Sequence, residues 1–346
     1  MTGLREPVLN YLEQHAPKEL ELWTGDRPPA NADVFAACDV LYALKLTGCE
    51  NLLESDAGTR FARLLSTQRL AGGLGFGDGR ALGVHQTAYA LGALNLLRAS
   101  GRPGHREALR ESGWRMDELI DPRTASPKWP AYLSHHGWRV GHWVGGVPSI
   151  LKSLWTLAPD AAVRNRIPVL DTVLQRSDEL IDERTGTLRT YRTQAFQNLF
   201  RMIYRLRHDP MAGDIGGIAH LHWVNYASGR LPYKGAPALF RRAWQLLQRG
   251  PYMEHAPYCL DFDVVQIART SLPDCEEMAE RFKQRANVYA NDLGSFFSHD
   301  LNGRYALHKL PGGLATLHEC AMATDQPVVD GFDIEPVDIV KGAYWI

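Results

Sequence analysis

Residues 85–101, HQTAYALGALNLLRASG, decide the fold class of this chain. On a helix, their small and apolar side chains surround nearly the whole circumference, which is typical of a helix buried on all sides. Five more stretches of this kind begin elsewhere, near Asp33, His142, Asp214, Cys259 and Pro311. Strand patterns are scarce, so the sequence predicts an all-α protein.

The buried stretches alternate with amphipathic, charge-bearing segments such as residues 56–69 and 274–291. Their starts recur at intervals of very roughly 50 residues, a period typical of helical repeat proteins. About six helical hairpins could close into a single α/α toroid around a central cavity, and the same periodicity allows an open solenoid. A basic helix is also expected at 190–207, and the repeat pattern does not assign it a place among the hairpins. We expect residues 1–326 to form one domain, with 327–346 as an irregular C-terminal tail packed on or over it.

The overall charge of the chain is close to balanced. The chain has 38 Lys and Arg against 39 Asp and Glu. Net charge therefore gives no electrostatic reason to expect a nucleic acid or an anionic membrane surface. No apolar run reaches the roughly 18 residues of a membrane span. The cysteines are widely spaced without a CxxC motif, which predicts a protein of the reducing cytoplasm. The sequence leaves a homo-oligomer open.

A glutamine–aromatic pattern lies in residues 60–76 and runs into the first buried stretch. Its residues are Phe61, Gln68, Gly72, Gly73 and Phe76, followed by Thr87, Ala88 and Tyr89. This pattern resembles a repeat of the terpenoid cyclase and protein prenyltransferase superfamily, with Phe76 where squalene cyclases more often have Trp. The resemblance implies an α/α toroid with its chemistry in the central cavity, and the chain length suits one toroid.

Two acids at the start of a buried stretch are the sharpest catalytic candidates. Residues 261–265 resemble the DxDD motif of class II terpene cyclases, although Val264 and Val265 replace the third acid and the following Thr. The resemblance implies that Asp263 donates a proton to the substrate and that Asp261 supports it. Desolvation and a neighbouring carboxylate both raise the pKa of such an acid. An aspartate at a helix start also serves as an N-cap, which is the structural alternative.

The first turns of several buried stretches also carry histidine. His85 and His142 are candidate catalytic residues at the mouth of the cavity. His220 and His222 are two apart on one helix, so at most one of them faces inward, and the same holds for the two aspartates. Together with aromatic side chains, these groups suit protonation-initiated acid–base chemistry on an isoprenoid-like apolar substrate. An enzyme of this kind is the first prediction of function.

The sequence predicts no cofactor firmly and leaves a divalent metal open. Cys259, Asp261 and His318 are the residue types that ligate zinc in protein prenyltransferases, so the resemblance implies them as metal ligands. The order of Cys and Asp is inverted relative to that family. Several cavity histidines with a carboxylate could instead hold a divalent ion.

A glycan lyase or hydrolase is the second prediction of function. His222, Asn225, Tyr226 and Arg230 lie close together in sequence and resemble the catalytic set of toroid-type uronate lyases. In such a set, Arg or Asn neutralises a carboxylate and Tyr or His moves a proton. Three aromatic residues are expected to contact the substrate of either enzyme: Trp143, Trp223 and Tyr258. The third prediction is a non-catalytic binding protein or a subunit of a complex.

Overall fold

The computed structural model describes residues 3–25, 32–67, 83–101, 119–121, 123–130, 133–157, 170–191, 193–205, 209–231 and 233–346. Within these ranges the chain is helical, with one small antiparallel sheet of β1 (Ile181–Asp182) and β2 (Thr187–Leu188). The prediction of an all-α protein is confirmed. No helix in the described ranges is long and apolar enough to cross a membrane. Four residues of the glutamine–aromatic pattern lie outside the described residues: Gln68, Gly72, Gly73 and Phe76.

The α-helices of the described residues are numbered in chain order. The first group is α1 (Arg5–His15), α2 (Pro17–Thr24), α3 (Val34–Leu46), α4 (Ala57–Thr67), α5 (Gly83–Ala99), α6 (Gly137–Val144) and α7 (Gly146–Leu157). The second group is α8 (Leu170–Asp178), α9 (Gln194–Ile203), α10 (Pro210–Ala227), α11 (Ala236–Leu247), α12 (Cys259–Thr270), α13 (Glu276–Ser295), α14 (Leu310–Ala323) and α15 (Ile339–Ala343). Short 3-10 turns at Glu50–Leu52 and Leu307–Lys309 and a π-helical turn at Phe296–Asp300 join them.

The helices with the most buried side chains are those whose sequences are apolar nearly all round: α3, α5, α6 with α7, α10, α12 and α14. They begin at or near the predicted starts. Asp33 caps α3, for example, by accepting a hydrogen bond from the Ala36 amide at 2.8 Å. Each buried helix packs on the next: α3 on α5, α5 on α7, α6 on α10, α10 on α12, and α12 on α14, which also packs on α3. The amphipathic helices α4, α11 and α13 pack against α3, α12 and α14.

Glycines bring two of the buried helices, α6 and α10, into very close contact. A Cβ atom on Gly141 would overlap the carbonyl oxygen of Gly217, and one on Gly145 would overlap the backbone of His220. These contacts advance together along both helices, so α6 and α10 run parallel. Only glycine permits this separation. The packing places His142 beside His220, with ring centroids 4.9 Å apart.

The segment 327–346 enters the space between the buried helices. Its helix α15 packs on α5 and α10. The Tyr42 hydroxyl donates to the Trp345 carbonyl at 2.7 Å, and the Ser149 hydroxyl donates to the Tyr344 carbonyl at 2.9 Å. The Trp345 side chain is completely buried. The tail therefore fills the space toward the C-terminal ends of the buried helices, and open space is left toward their N-terminal ends.

Candidate functional site

A cavity of about 370 Å³ lies toward the N-terminal ends of the buried helices. Its volume falls in the range of roughly 300–1,000 Å³ that small-ligand sites occupy. The aromatic part of its wall is formed by Phe35, Tyr89, Trp138, Trp223 and Tyr258. The titratable part is formed by His85, His142, His220, Cys259, Asp263, His308 and Lys309. Ile346 of the tail also lines the cavity, so a ligand here would contact the tail as well as the buried helices.

Asp263 is the acid in the cavity wall. Its side chain is 1% exposed, and its Oδ1 has no hydrogen-bond partner among the described residues. Burial raises the pKa of Asp263 well above its ordinary value, and the charge of Asp261 raises it further. A carboxyl group with so little to replace its lost hydration favours the protonated form.

Asp261 lies two residues earlier and has a different role. Its oxygens accept hydrogen bonds from the amides of Tyr258 at 2.8 Å and Met253 at 2.9 Å, and from the Tyr289 hydroxyl. It caps the start of α12 and is not among the residues that line the cavity. Burial raises the pKa of Asp261 to about 6, although the hydrogen bonds oppose the rise. The support that the sequence predicts from Asp261 is therefore electrostatic, since its oxygens are engaged in the cap.

Three histidines from three helices meet in the cavity wall. His85 of α5, His142 of α6 and His220 of α10 each place a ring nitrogen within 4.8 Å of the others. The rings of His85 and His142 stack with centroids 4.5 Å apart, and His220 meets His142 edge-on. Burial lowers the pKa of all three, that of His220 to about 3, so the three imidazoles are neutral at neutral pH. The Nδ1 atom of His142 has no hydrogen-bond partner among the described residues, whereas the backbone of Gly216 and Gly217 lies within reach of the His220 ring.

Three neutral imidazoles are a ligand set for a divalent ion such as Zn²⁺. The indole N–H of Trp345, however, donates to Nδ1 of His85 at 3.1 Å. A neutral imidazole whose Nδ1 accepts a hydrogen bond carries its proton on Nε2, so His85 is a hydrogen-bond donor in this arrangement. Binding of one ion by all three histidines would require the Trp345 contact to break. The observed geometry therefore fits recognition of a polar group better than a three-histidine metal centre.

The zinc ligands that the resemblance implies do not meet. Cys259 lines the cavity, whereas Asp261 caps α12 and His318 lies elsewhere. Nε2 of His318 hydrogen-bonds the Leu46 carbonyl at 2.7 Å, and its Nδ1 accepts from the Val337 amide at 2.9 Å. Both ring nitrogens thus hold α14 against α3 and the tail. Among the described residues, only the three cavity histidines form a group close enough to share an ion.

His308, which no sequence pattern predicts, lines another part of the cavity and is paired with Asp39. Nδ1 of His308 lies 2.9 Å from Oδ1 of Asp39, which also accepts a hydrogen bond from the Tyr89 hydroxyl at 2.8 Å. Burial raises the pKa of Asp39, and His308 opposes the rise. The ring of His308 also packs on Phe35, with centroids 4.3 Å apart. His308 lies in a short 3-10 turn before α14, so no helical periodicity singles it out in the sequence.

His222, a predicted catalytic residue, is placed away from the cavity. Its side chain is completely buried, and its ring nitrogens lie 2.8 Å from the Tyr233 hydroxyl and 2.6 Å from the Thr270 hydroxyl. Burial lowers the pKa of His222 to about 3. Both nitrogens are used between helices, so the residue holds the structure together and does not face a substrate in the cavity.

The other residues that resemble a uronate-lyase set are also engaged elsewhere. Asn225 and Arg230 both donate to Asp178, at 2.9 and 2.6 Å. The Tyr226 hydroxyl donates to Asp338 of the tail at 2.6 Å. None of these side chains is among the described residues that line the cavity. The structure therefore does not assemble the predicted lyase set at this cavity.

The predicted aromatic contacts divide in the same way. Trp223 and Tyr258 line the cavity, whereas Trp143 packs against the hydrophobic core. Trp138 takes the expected place of Trp143 in the wall. Trp138 and His142 are four residues apart and so share one face of α6, while Trp143 lies on another face.

Comparison with known proteins leaves the cavity as the basis for any functional conclusion. The chain matches no protein family, no curated protein and no solved structure.

Proposed function

We propose that this protein is an enzyme that protonates an apolar, isoprenoid-like small molecule inside the cavity. The proposal is supported by the position of Asp263. Its carboxyl group is buried in an aromatic cavity wall, and its Oδ1 lacks a partner among the described residues. An alkene has no strongly basic atom, so its protonation requires an acid in a site from which water is excluded. Ring faces such as those of Trp138 and Trp223 stabilise the carbocation that forms.

The His308–Asp39 pair is the proton acceptor in this proposal. The Asp263 carboxyl gives its proton to a carbon–carbon double bond of the substrate, and a carbocation forms. Loss of a proton from an adjacent carbon to Nε2 of His308 then restores a double bond. Asp39, bound to Nδ1 of His308, stabilises the imidazolium that results. The substrate gains one proton and loses one; the His308 imidazolium then releases its proton to solvent, and Asp263 takes one up from solvent.

We infer a toroidal arrangement of the buried helices, as the first prediction has it. The inference is supported by helix contacts that pass from α3 through α5, α7, α6, α10 and α12 to α14, which packs on α3. In this arrangement, the cavity lined by Asp263 and the histidines would lie at the centre of the toroid, where the resemblance implies the active site. The five cysteines are free, which agrees with a protein that works in a reducing cytoplasm.

The test is turnover in heavy water. Purified protein is incubated in D₂O with linear polyprenyl alcohols, polyprenyl diphosphates and an acyclic polyprenyl hydrocarbon, and the products are analysed by mass spectrometry. Protonation-initiated chemistry predicts a cyclised or isomerised product with one deuterium on carbon. Asp263→Asn should lower the rate by about 10²–10⁴-fold, the usual contribution of a general acid.

The matched control is Asp261→Asn, which keeps an oxygen acceptor for the cap of α12. This variant should lose less activity than Asp263→Asn, because Asp261 acts on Asp263 only through its charge and is not part of the cavity wall. Conversion without deuterium on carbon, or full activity of Asp263→Asn, would contradict the proposal. So would a failure to convert any of the three substrate classes.

A further inference from the structure

Helix α9 buries polar side chains and exposes apolar ones, which is the reverse of an ordinary surface helix. Gln197 and Arg201, one turn apart, are its buried side chains, at 3% and 7% exposure. The outward face carries Phe196, Leu199, Met202 and Ile203, which are 54%, 43%, 69% and 57% exposed, and Tyr204 follows at 54%. A surface helix normally turns such residues toward the core. The exposed apolar face of α9 therefore requires an explanation.

The inverted orientation is fixed by polar contacts on the inner face. Arg201 forms an ion pair with Asp214 of α10 and donates to the His135 carbonyl at 3.4 Å. The Thr193 hydroxyl caps the helix by accepting from the Phe196 amide at 3.3 Å. Rotating α9 to bury its apolar face would remove the partner of a buried arginine, which is strongly unfavourable. The apolar face is thus held toward solvent by the fold itself.

The charge around α9 differs from that of the whole chain. Residues 184–208 contain six arginines and no aspartate or glutamate, although the net charge of the chain is −1; two of the six, Arg201 and Arg184, are paired with Asp214 and Asp182. Arg205, directly after the helix, is exposed. An apolar helix face flanked by arginines is the pattern of a helix that lies in a membrane interface. The near-neutral total charge conceals this local patch.

We propose that the outward face of α9 binds the surface of an anionic lipid bilayer. Phe196, Leu199, Met202 and Ile203 would enter the boundary between headgroups and acyl chains, and Tyr204 would sit at headgroup level. The flanking arginines would be attracted to acidic headgroups, at about 1 kcal/mol for each one close to the surface. A second copy of the chain fits this face less well, because two arginine-rich surfaces repel each other.

The place of α9 gives such binding a consequence for the cavity. Asp214, the partner of Arg201, lies against Gly137 at the start of α6. The next residue, Trp138, lines the cavity. A bilayer bound to α9 would therefore lie close to the cavity end of the molecule, where an apolar ligand could pass between lipid and protein. The inference itself depends on α9 alone and does not rest on the proposed function.

The test is co-sedimentation of the full-length protein with lipid vesicles. We expect binding to vesicles of phosphatidylcholine mixed with phosphatidylglycerol, weaker binding to phosphatidylcholine alone, and weaker binding at high salt. The double variant Leu199→Glu/Met202→Glu should bind the mixed vesicles about tenfold or more weakly. Both side chains are exposed, so thermal unfolding should be nearly unchanged, and it is measured alongside.

The matched control is Val288→Glu, which places one charge on an apolar residue that is 49% exposed on α13. This variant should bind the mixed vesicles as the wild type does. Equal binding by wild type and the double variant would overturn the proposal, as would no binding to the mixed vesicles. A dimer in light scattering that the double variant dissociates would also overturn it, in favour of a second copy of the chain.

Discussion

The two ends of the buried helices differ in how completely their buried ionisable side chains are paired. Beneath the tail, such groups are paired: Arg269 donates to Glu319 at 2.6 Å, and His222 contacts two hydroxyl groups. At the cavity end, Oδ1 of Asp263 and Nδ1 of His142 lack partners among the described residues. Buried polar groups are usually satisfied because an unsatisfied one costs free energy. The difference indicates that the paired groups beneath the tail hold the structure together, whereas Asp263 and His142 are available to a ligand in the cavity.

Removing a partner at the tail end should have the largest effect on stability. Glu319 is 1% exposed, and Arg269 is 18% exposed. Glu319→Ala leaves the Arg269 guanidinium buried without its carboxylate, which typically costs about 3–5 kcal/mol. Chemical denaturation at neutral pH measures the loss of unfolding free energy.

The matched control for that variant is Glu183→Ala, which removes an ion pair that is exposed on both sides, with Lys234. Exposed pairs contribute roughly 0–1 kcal/mol, so this variant should unfold almost like the wild type. Equal losses of unfolding free energy for the two variants would show that the buried pair at the tail end stabilises the fold no more than an exposed pair.

Changing the unpaired acid at the cavity end should have an effect of opposite sign, which grows as pH rises. The folded-state pKa of Asp263 is raised, so above about pH 4 the unfolded chain loses this proton while the folded chain retains it. Ionisation therefore favours the unfolded state as pH rises. Asp263→Asn removes this penalty and should gain stability relative to wild type by about 1.4 kcal/mol per pH unit, up to the folded-state pKa.

Chemical denaturation of both proteins at intervals of about one pH unit, between roughly pH 4 and pH 7, measures that difference. Asp261→Asn is the comparison variant, because Asp261 lies only two residues away but accepts hydrogen bonds from Met253, Tyr258 and Tyr289. Because the pKa of Asp261 is raised to about 6, the stability of this variant relative to the wild type should stop changing above about pH 6, whereas that of Asp263→Asn should continue to rise. A pH-independent difference for Asp263→Asn would show an ordinary ionised carboxylate.

The buried helices could be predicted because their sequences show little polar surface. Small and apolar residues all round a helix leave it no favourable position except the interior. The tail could not be predicted in the same way. Its helix Ile339–Ala343 is too short to show periodicity, and Trp345 is buried by contacts with residues distant in sequence, such as Tyr42. Such contacts depend on the assembled fold.

The site could be predicted only in part, for a similar reason. Two-residue spacing indicates that Asp261 and Asp263 point differently, and the structure has only Asp263 in the cavity wall. Sequence cannot say which one, because that depends on the rotation of α12. His85 lies beside His142 and His220 because glycines let α6 and α10 pack closely, and a contact between helices leaves no local sequence pattern. His308 is harder still, since it lies in a turn outside any periodic pattern.

The central claim, that the cavity holds a protonated carboxylic acid, is tested most directly by carbon-13 NMR of aspartate side-chain carboxyls. Protein labelled at these carbons is titrated, and the signal of Asp263 is assigned by its loss in Asp263→Asn. The structure predicts that this signal keeps the chemical shift of a protonated carboxyl through neutral pH, because burial raises its pKa. A signal that titrates near pH 4, like that of an exposed aspartate, would contradict the claim.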